Sequence, residues 1–153
     1  MPRISSIEIL NTPEQPALSI RTRTSVDKLP MVIGESFAKL AGYLGSLGEH
    51  LSGVPFVAYH NMDMADLDVE IGFPVAAPLP GREDIQYAPV PAGKRAFCMY
   101  QGAYSEMAPV YGDLAAWITA NGYSPVGTAY EYYYNGPDVP EPQLLTQIVM
   151  PVK

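Results

Sequence analysis

The chain has little cysteine, histidine and tryptophan and few basic residues, and each scarcity closes a route. Cys98 is the single cysteine among 153 residues, so no internal disulfide forms and no thiolate pair is available to hold zinc. Two histidines do not make a histidine-rich metal site, and the spacing shows no P-loop and no dinucleotide fingerprint. Nine Lys+Arg against sixteen Asp+Glu leave a net charge of −7, and nine dispersed basic residues supply no phosphate-tracking patch. Direct nucleic-acid binding is therefore not expected. No run approaches 18 apolar residues, and the segment Met1-Pro2-Arg3-Ile4-Ser5-Ser6 lacks the basic and apolar regions of a secretory signal. The expectations are a cytoplasmic address, no membrane contact and no cofactor. With 48% hydrophobic residues, a chain of this length buries roughly 70% of its extended surface and forms a core without staples. What chemistry there is rests on carboxylates and phenols.

Residues 7 to 10 and 17 to 24 read as extended segments, the second opened by Pro16 and carrying its charges, Arg21 and Arg23, towards water. Ile33, Phe37, Leu40, Leu44, Leu47 and Leu51 recur at steps of four and three, which predicts a helix from near Pro30 to Gly53. Beside that ridge run Gly34, Ala38, Ala41, Gly45 and Gly48. Each interior glycine costs about 1 kcal/mol relative to alanine, so the line implies either close helix-to-sheet packing or a ligand groove floored by backbone. Phe56 to Tyr59, a polar turn, and the alternating Leu67, Val69, Ile71 and Phe73 make a hairpin. Ala76 to Gly81 is the connector richest in Pro and Gly.

The second half repeats the first. A shift of 70 pairs Phe37 with Met107, Gly42 with Gly112, Leu44 with Leu114 and Pro55 with Pro125, and a shift of 77 pairs Leu67, Ile71, Pro74 and Val75 with Leu144, Ile148, Pro151 and Val152. The expected organisation is one domain over 1–153 with pseudo-repeats of about 1–78 and 82–153. Its fold class is α+β: tandem β-α-β-β halves, antiparallel sheets, two long helices and a central ligand cleft.

Eight of the eleven tyrosines fall between Tyr100 and Tyr134, together with Trp117, the only tryptophan. Within that stretch Glu131 interrupts the aromatic strand Tyr130-Glu131-Tyr132-Tyr133-Tyr134. Alternation places Tyr133 on the face of Glu131, and Tyr130, Tyr132 and Tyr134 on the other. On a solvated face Glu131 is an ordinary surface residue. On a buried one its charge needs a partner, and among ring faces the natural partner is a cationic or flat molecule. Cys98, in a strand over Ala96 to Tyr100, reads as a core residue.

Pro89-Val90-Pro91-Ala92-Gly93-Lys94-Arg95-Ala96, Tyr100-Gln101-Gly102-Ala103-Tyr104, Tyr111-Gly112-Asp113-Leu114-Ala115-Ala116-Trp117-Ile118 and Tyr130-Glu131-Tyr132-Tyr133, with Asp68 to Val75 upstream, resemble the GyrI-like small-molecule-binding domain over nearly the whole chain. The same domain is the effector-binding part of bacterial multidrug-responsive transcription activators. The resemblance implies two SHS2-like halves and an aromatic-lined pocket for amphipathic, often cationic, drug-like molecules. Glu131 matches the family's pocket glutamate and is the first expected ligand contact. Tyr133 follows, then Tyr104, Trp117 and Tyr59, for each of which packing in the core or a turn is at least as strong a reading.

The activators carry a DNA-binding segment ahead of this domain, whereas here the fold is expected to begin by Ile7, which implies a stand-alone sequestering or sensing role. Two alternatives accompany it. One is a hydrolase of cyclopropane-containing DNA-alkylating compounds with Glu131 as its acid–base residue; this requires a second acid, for which Glu70 is the candidate although Val69 and Ile71 suggest that it points away from the buried face. The other is an inhibitory protein-docking module of the gyrase-inhibitor type, its partner unidentified, using the acidic surface. Asp63, Asp66 and Asp68 read as a solvated cluster without calcium-loop spacing.

Overall fold

A computed structural model describes residues 5–136 and 138–153. The elements in chain order are β1 (Glu8–Thr12), β2 (Ala17–Thr24), α1 (Leu29–Ser46), β3 (Phe56–Tyr59), β4 (Leu67–Pro74), β5 (Ile85–Tyr87), β6 (Gly93–Gln101), α2 (Ala108–Ala120), β7 (Ala129–Tyr133) and β8 (Leu145–Val152). The fold is α+β, built from two β-α-β-β halves, β2-α1-β3-β4 and β6-α2-β7-β8. Pro13–Ala92 forms one compact unit, and Gly93–Lys153 with the N-terminal strand forms the other.

In the unit of the first half the strands lie in the order β3-β4-β2-β5, and in the unit of the second half β7-β8-β6-β1, every neighbouring pair antiparallel. The edge strand of each sheet comes from the segment that precedes the other half. Residues 8–12 pair with β6, and β5, three residues long, pairs with β2. Alternation alone does not register so short a strand as Ile85-Gln86-Tyr87.

Leu67, Val69, Ile71 and Phe73 are buried, as their alternation requires, and Phe73 meets Phe37 of α1 with ring centroids 5.4 Å apart. This face of β4 therefore carries the helix. In the other unit Ala96, Cys98, Tyr100, Ile148 and Val152 of the sheet pack with Val110, Leu114 and Ile118 of α2 in one core cluster. Cys98 is fully buried there.

Helix α1 starts with a proline in its first turn, where a missing N–H is harmless. It ends at Ser46 rather than near Gly53. Gly48 sits at φ +69°, its N–H bonds Gly45 O at 3.1 Å and that of Glu49 bonds Leu44 O at 3.0 Å, the Schellman arrangement that caps a helix through a left-handed glycine. Leu47 and Leu51, which continue the apolar spacing, lie beyond the helix and are exposed. The glycine line is also different from close packing: Gly34, Ala38, Ala41 and Gly45 are exposed, and a Cβ added at Gly34, Gly42 or Gly45 would meet nothing within 4 Å. Among the described residues no helix is long and apolar enough to cross a membrane.

Candidate functional site

Strand β7 brings the site together. Glu131 pairs with Ile148 and Tyr133 with Thr146, and Ile148 in turn pairs with Cys98 of β6, so Glu131 and Tyr133 stand on the face that packs on α2. Tyr130 and Tyr132 project to the opposite face. The Glu131 carboxylate is half-buried and bracketed by phenols. Tyr111 of α2 donates to Oε2 at 2.5 Å, and Tyr133 donates to Oε1 at 2.8 Å. Hydrogen bonds to a carboxylate acceptor are the strong ones.

Tyr104 extends this group. Its ring stands edge-on to Tyr133, centroids 5.6 Å apart at 74°, and 48% of the residue is exposed. Burial, reinforced by the Glu131 charge, pushes the Tyr104 phenol above its ordinary value, so it stays a neutral donor at neutral pH. The turn before it depends on Gly102, whose φ is +144° and where a Cβ would lie 3.0 Å from the Tyr100 hydroxyl. That hydroxyl donates to Ala103 O at 2.5 Å, and the Gly102 N–H bonds Leu144 O. Tyr104 is thus launched from a turn that a larger residue would displace.

The other two expected residues lie elsewhere. Trp117 is half-buried and packs against the core cluster of its unit. Tyr59 belongs to the other unit, at the end of β3, where pairing with Val69 puts it on the α1 side of that sheet. Tyr111 was not among the expected site residues. Nothing in a one-dimensional pattern links it to Glu131 across 20 residues; the available signal was its place beside Val110 and one turn before Leu114, on the buried edge of α2.

On the opposite face of β7, Tyr130 and Tyr132 stack at 6.1 Å and meet a cation of the chain itself. The buried Arg95 guanidinium lies 4.9 Å from the Tyr130 ring centre and donates to the Tyr132 hydroxyl at 3.2 Å. Burial raises the Tyr132 pKa, outweighing the lowering by Arg95. The aromatic run is therefore split: one face is engaged with Arg95, the other with Glu131. Thr146, paired with Tyr133, is fully buried, and its hydroxyl has no hydrogen-bond partner among the described residues. Such an atom costs roughly 1–3 kcal/mol unless a water meets it.

Glu70, the candidate second acid, lies on the side of β4 away from α1. It is not the solvated residue that its flanks suggest. The buried Ser19 hydroxyl donates to Oε2 at 2.6 Å, and Nε2 of His60 lies 2.9 Å from Oε1, with only 15% of the Glu70 side chain exposed. Burial on its own would raise the carboxyl pKa; the hydrogen bonds of His60 and Ser19 outweigh it and hold the group below its ordinary range. Asp68 and Asp66 are taken up by Arg21 and Arg23. No group of His, Cys, Asp or Glu among the described residues is arranged to hold a metal ion.

Residues 5–153 match the model of the GyrI-like small molecule binding domain. The chain belongs to that family. This GyrI-like domain superposes on the C-terminal domain of EcmrR with a TM-score of 0.80 at 22% identity, covering 98% of each chain. EcmrR in its complex with DNA gives 0.84 at 20% identity over 97% of this chain; the chain spans 57% of the length of that protein. A hydrolase from Listeria innocua (TM-score 0.71, 14% identity, 97% of this chain and 92% of that one) and SAV2435 bound to tetraphenylphosphonium (0.64, 12%, 97% and 94%) share the fold. No curated protein matches the sequence.

Proposed function

We propose that this GyrI-like domain binds an amphipathic, cationic, aromatic molecule at Glu131, with Tyr133, Tyr111 and Tyr104 as walls, and serves as a sequestering or sensing protein. The observation that carries this is the half-buried Glu131 carboxylate, on the helix side of the sheet, whose two oxygens are held by the phenols of Tyr111 and Tyr133. A carboxylate among ring faces attracts a cation through its field and the quadrupoles of the rings. The capture of tetraphenylphosphonium by SAV2435, which has the same fold, supports a lipophilic cation as the ligand class.

Hydrolysis is the weaker reading. The candidate for the second acid it needs is Glu70, which lies on the far side of its sheet from α1 and is engaged by Ser19 and His60. Glu131, for its part, has a phenol on each oxygen, an arrangement suited to holding charge and less to taking a proton from water.

The test is calorimetric titration of a lipophilic cation and a neutral compound of equal size against wild type and Glu131→Gln. The substitution should weaken the cation by about 1–3 kcal/mol and leave the neutral compound nearly unchanged. Equal losses for the two compounds would remove the charge-pairing role, and turnover of an electrophilic cyclopropane would restore the hydrolase reading.

A further inference from the structure

One end of the unit Pro13–Ala92 holds apolar side chains out in water. Met62, Met31 and Met64 are 67%, 58% and 49% exposed, and Val26 is exposed with them. They come from three segments: the loop before α1, the first turn of α1, and the tip of the β3–β4 hairpin. The Val26 N–H bonds Met64 O at 2.8 Å, which joins the two loops, and the Leu29 N–H bonds Val26 O where the helix begins. The hairpin tip is braced from within. The Asn61 amide donates to Asp66 O at 3.0 Å and accepts from the Asp68 N–H at 2.9 Å, and the Asp63 carboxylate accepts from the Ala65 N–H at 3.1 Å. Single exposed apolar residues are ordinary, whereas a group gathered from three segments and rimmed by polar residues marks a contact face.

The rim decides the partner. Asp27 follows Val26, Asp63 separates Met62 from Met64, and Glu35 lies one helical turn after Met31. None of these three acids is in an ion pair among the described residues. The arginines nearest to them along the hairpin are already engaged, Arg23 with Asp66 at 3.3 Å and Arg21 with Asp68 at 2.8 Å. Lys28 is the one base at this end outside an ion pair among the described residues, so the rim keeps an excess of negative charge. Thioethers are flexible and polarisable and fit themselves to varied apolar shapes. We infer that Val26, Met31, Met62 and Met64, with Asp27, Glu35 and Asp63, form a docking surface for a basic amphipathic helix of another protein. Its apolar stripe lies on the thioethers and its Lys and Arg flanks meet the three acids. Glu131 belongs to the other unit and takes no part in this contact.

The experiment titrates the methyl-labelled methionine spectrum of the protein with a Lys/Leu peptide of about four helical turns, its two residue types on opposite faces, and with a Glu/Leu counterpart. The signals of Met31, Met62 and Met64 should move with the Lys/Leu peptide, while that of Met107, buried in the other unit, stays in place. Fluorescence anisotropy then gives the affinities. Met62→Gln with Met64→Gln should weaken the Lys/Leu peptide about tenfold or more, and Asp27→Asn with Asp63→Asn about threefold or more, the latter effect shrinking in high salt. The substituted side chains are exposed, so Tm should not change. Glu131→Gln should bind the peptide as wild type does. Equal affinity for the Glu/Leu peptide, shifts confined to other methionines, or no binding overturns the proposal. Loss of the peptide in Glu131→Gln assigns it to the cation site and overturns the proposal as well.

Discussion

Single carboxylates carry much of the chemistry here, and Glu70 shows how one can serve the fold. Its hydrogen bonds with His60 and Ser19 hold its pKa below the ordinary 4.5 against the opposing effect of burial. A depressed acid stabilises the native state in its ionised form, so this contribution is complete above pH 4.5 and is lost as the pH falls through the native value. The gap in Tm between wild type and Glu70→Gln should therefore be widest near neutrality and close in acid. A gap that stays constant from pH 7 to pH 3 would mean that the carboxylate contributes nothing through its charge. Glu131 is placed in the opposite way, on the helix side of its strand with the phenols of Tyr111 and Tyr133 on its two oxygens. Sequence alternation gave its face and that of Tyr133 correctly, because the period of a strand is blind to everything except direction. It did not give Tyr111, because a hydrogen bond between a helix and a strand depends on how the two pack.

Elements differ in how openly the sequence declares them. Strand β4 is legible because one of its faces is buried and its four apolar residues alternate without a fault. The end of α1 is not, because Leu47 and Leu51 keep the helical spacing after Gly48 has already turned the chain at φ +69°. Periodicity records which residues are apolar and carries no record of backbone sign. The glycines along α1 were expected either to press against the sheet or to floor a groove, and their outer face is open. Gly34→Ala and Gly45→Ala should each raise stability by about 0.5–1 kcal/mol, read as a higher Tm, since a helical site with room for a methyl gains propensity and loses nothing. A fall in Tm would show that the small residues are needed for packing. Unchanged stability with weakened cation binding would instead make this face part of the ligand site. Strand β7 is the most divided element, committing Tyr130 and Tyr132 to Arg95 on one side and Glu131 and Tyr133 to the site on the other.

Across the whole molecule the two halves share a plan and differ in content. In the second half Cys98, Ile148 and Glu131 form one cross-strand row. The matching row of the first half is Ile20, Ile71 and Val57, and Val57 is fully buried. The duplicated architecture thus carries its carboxylate in one copy only, and calorimetry should return one cation per chain. A stoichiometry of two would mean that Tyr59 and its surroundings bind on their own. The repeat was readable from matched residues, whereas the pairing of residues 8–12 with β6 was not, since an edge strand leaves no trace of which partner it will meet. That pairing has a consequence for synthesis. Thr12 and Gly93 are neighbours in the sheet but 81 residues apart in the chain. At about 5–20 residues per second, β1 waits roughly 4–16 s on the ribosome before the strand it pairs with has been made. Throughout that interval Ile9 and Leu10 lack their sheet, and this nascent stretch is where a chaperone would find a hold.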